Sequence, residues 1–155
     1  MINLEHKIPP PLVGLASAAL AWWLAGAAPA LALYASGRAV LILALVLAAA
    51  GLALELWGLW TFRRHRTTPN PLAPERARTV VQSGPYRFTR NPMYVGVALQ
   101  LLAWCGYLGN PVSLLALAAF VAYITRYQIL PEERALAQRF GEPYLQYLHS
   151  VRRWL

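Results

Sequence analysis

Two short stretches of this chain bring together residue types that can do chemistry. The first is GPYRFTRNPMYVG, residues 84–96, and the second is LPEER, residues 130–134. In the first, Asn91 is a preferred N-cap residue and Pro92 suits the first helical position, so the pair predicts a helix start. A helix start offers free N–H groups and the positive end of the helix dipole. With Arg87 and Arg90 beside it, such a start can hold a carboxylate. In the second stretch, Glu132 and Glu133 are adjacent in a chain whose six acidic residues are all glutamate. Pro131 can begin a helix and the two acids suit its positive end, but the same acids can also hold a cation or take a proton. Arg126 stands seven residues before Glu133, on the same face of an α-helix, and is expected to pair with a glutamate there. Glu55 lies inside an apolar run, where it either lines a polar cavity, reaches back to the interface, or keeps its proton. Gln100 is expected to make a hydrogen bond between helices.

The elements that must position these residues follow from composition. Of 155 residues, 58% are hydrophobic and only 13% charged, about half the charge usual in a soluble domain. That is a membrane composition in a chain long enough for one domain, 1–155. Four apolar runs, 12–34, 39–62, 93–108 and 112–130, are of the order of the about 20 residues that cross a bilayer as a helix. The fold expected is all-α and integral to the membrane, with four transmembrane helices, since backbone groups in lipid must be satisfied within each segment. Pro29 is placed to kink the first run or end it early. GYLGNP leaves only a tight turn between the third and fourth runs, so these should form an antiparallel hairpin. The leader INLEHKIPPP lacks the pattern of a cleaved signal, and the first run is expected to be retained.

Basic residues orient the bundle, because Lys and Arg in short loops stay on the cytoplasmic side. Arg63, Arg64, Arg66, Arg76, Arg78, Arg87 and Arg90 all fall between the second and third runs, whereas the opposite turns hold only Arg38. The long loop is therefore expected in the cytoplasm, with both termini, as in the inner membrane of a prokaryote. The net charge of +8 is explained by this topology and by anionic headgroups, so nucleic-acid binding is not expected. After residue 131, Leu136, Phe140, Tyr144, Tyr147 and Val151 form the stripe of an amphipathic helix along the cytoplasmic face, with a break near Gly141 and Pro143. The proline-rich loop 67–84 is expected to be extended and to fold over the site. Trp154 is expected in an interfacial aromatic belt. His65, His149 and His6 are isolated, Cys105 has no partner, and no spacing resembles a metal site. Neither a Ser, His and acid constellation nor a nucleotide-binding glycine loop is present.

Taken in order, GPYRFTRNPMYVG, a two-span hairpin and EERALAQRFGEPYLQYLHSVRRW resemble the isoprenylcysteine carboxyl methyltransferase and phospholipid methyltransferase group of membrane enzymes. Their pattern runs G-P-Y-R, R-H-P-x-Y-x-G, a hairpin, E-E, then F-G-x-x-Y-x-x-Y, and here covers residues 84–154. The resemblance implies an S-adenosylmethionine site built from helix ends and the tail. Tyr86, Arg90, Pro92, Tyr94 and Gly96 match its first motif, Glu132 and Glu133 the acidic pair, and Phe140, Gly141, Tyr144 and Tyr147 the tail motif. Asn91 stands where the carboxyl methyltransferases carry histidine, and the N-P-M-Y form is similar to the phospholipid branch.

The function expected is methyl transfer from S-adenosylmethionine to a small lipophilic or lipid-borne carboxylate, amine or thiol at the cytoplasmic face. Tyr86, Arg90, Asn91, Pro92, Tyr94, Gly96, Glu132, Glu133 and Tyr144 are the expected donor-binding residues. Glu133, Arg126 and Glu55 are the candidates for catalysis, no metal is required, and oligomeric state is not legible. The alternatives are an NADPH-dependent membrane reductase of sterol-reductase type and a non-catalytic scaffold or carrier. Donor, NADPH or neither binding distinguishes the three.

Overall fold

The computed structural model describes residues 8–34, 37–65 and 79–155, and its regular elements are all helical. Helix α1 is Pro10–Ala27. Pro10 and Pro11 sit in its first turn, where a missing N–H costs nothing. The helix ends at Ala27 because Ala28, which precedes Pro29, is pushed out of the helical region to φ −129°. The first run, expected over 12–34, therefore helical only to Ala27, continues as a single 3-10 turn, Pro29–Leu31. The side-chain amide of Asn110 donates to the Ala25 and Ala28 carbonyls at 3.2 and 2.8 Å, satisfying acceptors that the helix end leaves open.

Helix α2, Arg38–Arg64, is 27 residues long, about 40 Å at 1.5 Å per residue. It runs against α3, Pro92–Leu108. The approach is close because both surfaces are glycine: a Cβ on Gly51 would come within 2.5 Å of the Gly96 carbonyl, and one on Gly96 would collide with the Glu55 side chain. Small residues permit this backbone contact between apolar helices, where tight packing supplies much of the attraction. Glu55 uses the contact. Its Oε1 accepts from Gln100 Nε2 at 2.7 Å, which is the helix-to-helix bond expected of Gln100.

Gly109 and Asn110 turn the chain from α3 into the next helix, giving the expected hairpin. That helix is α4, Leu114–Ile124, then a π turn, Thr125–Ile129, then α5, Leu130–Phe140. Pro131 does not start a separate helix, as LPEER suggests; it lies within a helix continuous from Pro111 to Phe140. Proline lacks an N–H and crowds the carbonyl one turn back, and the helix widens just before it, with Leu130 N–H bonding Thr125 O five residues earlier. The extra residue turns the later face by about 100°. This is why Arg126 and Glu133 do not pair as expected. Arg126 is exposed, while Glu133 points to other arginines. The tail does break at Gly141, and α6 is Glu142–Ser150.

The core lies between α1, α3 and α4, with Tyr94, Leu101, Phe120, Ile124 and Ile129 buried together. Trp154 packs on this cluster and donates to Thr125 Oγ1 at 3.1 Å. It is thus docked on the fourth helix, where its indole nitrogen finds an acceptor. Large apolar side chains face outward along α1 and α2, among them Leu15, Trp22, Trp23, Leu43, Leu45 and Leu56, a surface suited to lipid. Three helices, Pro10–Ala27, Arg38–Arg64 and Pro111–Phe140, are long and apolar enough to cross a membrane, and Pro92–Leu108 is apolar but shorter. The chain reads as an integral membrane protein. Arg66, Arg76, Arg78, His6 and most of the proline-rich loop lie outside the described residues.

Candidate active site

The sequence GPYR folds as a 3-10 turn, Gly84–Arg87. Gly84 has φ +59°, and a Cβ there would press on Thr61 Oγ1 at 2.8 Å, so glycine suits both the backbone and the space. The turn buries Tyr86 against α2. Its ring meets Phe62 edge-on at 5.0 Å, and its hydroxyl lies beside Gly58. From there TRNP enters α3 with Asn91 at the N-cap and Pro92 at the first helical position, as expected.

The cap itself is not made by the Asn91 side chain. Its Nδ2 instead donates to the Arg153 carbonyl at 2.9 Å, and Thr89 Oγ1 donates to the same carbonyl at 3.2 Å while also accepting from Asn91 N–H. Arg90 is drawn in the same direction. Its Nη1 donates to the Leu148 and Val151 carbonyls at 2.6 and 3.0 Å, its Nη2 to Glu133 at 2.9 Å, and its backbone N–H to Arg152 O at 2.9 Å. The Tyr147 hydroxyl donates to Tyr86 O at 2.8 Å. Loop 86–91 and tail 147–153 are therefore one hydrogen-bonded body.

Glu133 is the hinge of that body. Arg153 grips its carboxylate with two bonds, Nε to Oε1 at 3.0 Å and Nη2 to Oε2 at 2.8 Å, and Arg90 adds the third. Fork-to-carboxylate pairs of this kind fix orientation as well as charge. The contact with Glu133 holds Arg153 more firmly protonated than usual. Arg90 and Glu133 are nearly buried, with side chains 10% and 12% exposed.

Glu132 behaves differently. It makes no hydrogen bond among the described residues, is desolvated, and stands next to the Glu133 charge. Part of the residue still reaches the surface. Its field extends to Tyr86, Tyr94 and Tyr144. Those three and Tyr147 are all buried, and the rings of Tyr144 and Tyr147 lie 6.1 Å apart. Burial first, then Glu132, raises the Tyr86 hydroxyl; burial, then Glu133 and Glu132, raises that of Tyr144; burial raises that of Tyr147, with Arg90 acting against it. All three are neutral donors at ordinary pH. A desolvated carboxyl beside a buried tyrosine cluster is a setting for an organic cation.

A family model for phospholipid methyltransferases matches residues 39–143 of this chain. The chain belongs to the phospholipid methyltransferase family. Among individual relatives, an uncharacterized protein of Haemophilus influenzae is 43% identical over 63 residues, which are 41% of this chain and 100% of that protein. The protein-S-isoprenylcysteine O-methyltransferase A of Arabidopsis thaliana is 38% identical over 77 residues, 50% of this chain and 39% of the plant protein. The chain thus spans well under half the length of the plant enzyme. No solved structure matches significantly.

Within this family member the site residues named from sequence fall into three groups. Tyr86, Tyr94, Tyr144 and Glu132 come together; Arg90, Asn91 and Glu133 form the tie to the tail; and Gly96, with Glu55, belongs to the α2–α3 crossing one turn deeper than Pro92. Arg126 joins none of these. Sequence reasoning missed Thr89, Arg153 and the main-chain carbonyls of 148–153 as parts of the site. Arg153 was legible only as one more basic residue of the tail, and backbone acceptors leave no trace in residue types.

Proposed function

We propose that this chain transfers a methyl group from S-adenosylmethionine to a small lipophilic or lipid-borne acceptor at the cytoplasmic face of the membrane. The observation that carries the reading is Glu132, a desolvated carboxyl without a hydrogen-bonding partner among the described residues, set within a cluster of buried tyrosines. That donor set fits the ligand: the carboxylate suits an ammonium or sulfonium, and tyrosine faces suit a cation stripped of water. When bound, S-adenosylmethionine supplies a methyl group on a sulfonium, which is open to attack by a nucleophile.

The chain's own residues then divide the work. Glu132, Tyr86, Tyr94 and Tyr144 would hold the donor, while Arg90, Asn91 and Glu133 keep the loop and tail in place around them. Pro92 and Gly96 let α3 start beside the tyrosines and pass close to α2. A carboxylate acceptor needs no base, and a low-dielectric site favours charge cancellation between it and a sulfonium. An amine or thiol must first lose a proton. Glu55, at the α2–α3 crossing with its Oε1 on Gln100, is then the acceptor-side carboxylate reachable from the bilayer. Glu133 contributes by orientation, since both of its oxygens are engaged, and Arg126, on the outer face, is placed to meet headgroups.

We further read the whole chain, 1–155, as one methyltransferase domain with four spans, both termini and the amphipathic tail on the cytoplasmic side of a prokaryotic inner membrane. The Arg63, Arg64, Arg87, Arg90, Arg152 and Arg153 side supports this orientation.

Titration calorimetry in detergent tests the reading. Micromolar binding of S-adenosylmethionine, followed by incorporation of radiolabelled methyl into a lipid extract, is the expected result. Binding of NADPH in its place, or of neither, overturns it.

A further inference from the structure

The two adjacent glutamates are identical in sequence terms and opposite in surroundings. Glu133 accepts three hydrogen bonds from two guanidiniums; Glu132 accepts none among the described residues. The guanidinium that makes the larger share of that difference belongs to Arg153, three residues beyond the end of the α6 segment that carries Tyr147, with its side chain 36% exposed. We infer that Arg153 is a positioning residue: together with Arg90 it fixes and neutralises Glu133, which leaves Glu132 as the carboxylate that faces the ligand's cation. This rests on the methyl-transfer reading and assigns unequal roles within the acidic pair.

The consequence is electrostatic. The groups in electrostatic contact with Glu132 are Glu133 on its own helix, Tyr86 from the loop, Tyr94 from α3 and Tyr144 from α6, and Arg90 from the loop and Arg153 from the tail are held on the adjacent Glu133 carboxylate. The tyrosines are neutral, so Glu132 feels the balance of Glu133 against Arg90 and Arg153. Removing a positive partner makes the surroundings more negative and keeps the proton on Glu132 to higher pH. Removing Glu133 does the reverse. A role confined to holding the tail down predicts no such opposition.

The test is S-adenosylmethionine binding by calorimetry between pH 5.5 and 8.5, with melting curves on the same samples. Binding of the cation strengthens as Glu132 ionises, so each protein yields a midpoint. In Arg153→Gln the midpoint should rise and affinity at pH 7 should fall several-fold. In Glu133→Gln the midpoint should fall, and in the double variant it should return close to that of the wild type. Arg153→Lys keeps the charge and loses the fork, so it should weaken binding a few-fold with the midpoint unmoved; if Arg153→Gln does not fold, the fall of the midpoint in Glu133→Gln decides, and its absence overturns the inference. Midpoints that are the same in all four variants, whatever happens to the melting temperature, overturn the inference. If the wild type binds no S-adenosylmethionine, the methyl-transfer reading fails instead. The inference is then judged on the pH dependence of the melting temperature, where Glu132 titrates without ligand: the same opposed shifts support it and a common profile sinks it.

Discussion

The α2–α3 crossing and the loop–tail body are neighbours held together by opposite means. At the crossing, Gly51, Gly58 and Gly96 remove side chains so that backbones touch, and a polar pair, Glu55 with Gln100, bridges the two helices. In the loop–tail body, side chains of Thr89, Arg90, Asn91, Tyr147 and Arg153 reach out to carbonyls and to Glu133. The difference follows from solvent. Among apolar helices, a missing contact is a void, and fit decides stability. Where the chain leaves the apolar spans, irregular backbone exposes carbonyls that must find donors, and hydrogen bonds decide it. A site made at this boundary receives rigidity from both sides.

The comparison is broken most severely by Arg90→Ala. It strands Glu133 with a single partner and frees two tail carbonyls, those of Leu148 and Val151, and loss of one member of a nearly buried ion pair costs about 3–5 kcal/mol. The expected result is a large drop in melting temperature and loss of donor binding, followed by fluorescence or calorimetry. A protein that melts as before would show the tail to be held elsewhere. Next comes the crossing. Gly96→Ala meets the Glu55 side chain and the Gly51 carbonyl, and such overpacking costs about 1–3 kcal/mol. Gly106→Ala, which faces open space in the same helix, should instead be neutral or slightly stabilising by up to about 1 kcal/mol. Equal melting temperatures for the two would remove the close approach from the account.

Asn91 sharpens the comparison on a smaller scale. Were it an ordinary cap, serine would replace it without loss. Here its amide holds the tail, so Asn91→Ala should cost about 1 kcal/mol. Asn91→Ser should recover part of that by capping α3 while leaving the Arg153 carbonyl unbonded. Serine equal to wild type in both melting and donor binding would return the residue to a cap.

Residue types alone determined a good deal here. Apolar runs and prolines marked the helices, and the early end at Pro29, the hairpin at Gly109 and Asn110 and the break at Gly141 were each legible because their causes are local. The order of the two motifs pointed to the family to which the chain belongs. What the sequence could not contain was which way identical residues face. Adjacent residues of a helix point about 100° apart, and the π turn before Pro131 decides that it is Glu133 that meets the arginines and Glu132 the tyrosines. Asn91 forgoes its local cap because the tail presents a carbonyl within 2.9 Å. Arg153 acquires a role because the chain returns to the loop 62 residues away from Asn91. Helix periodicity fixes neighbours three and four residues apart, and a single added residue in one turn reassigns them. The partners of the site are set by contacts between distant segments, and those exist only once the bundle has closed.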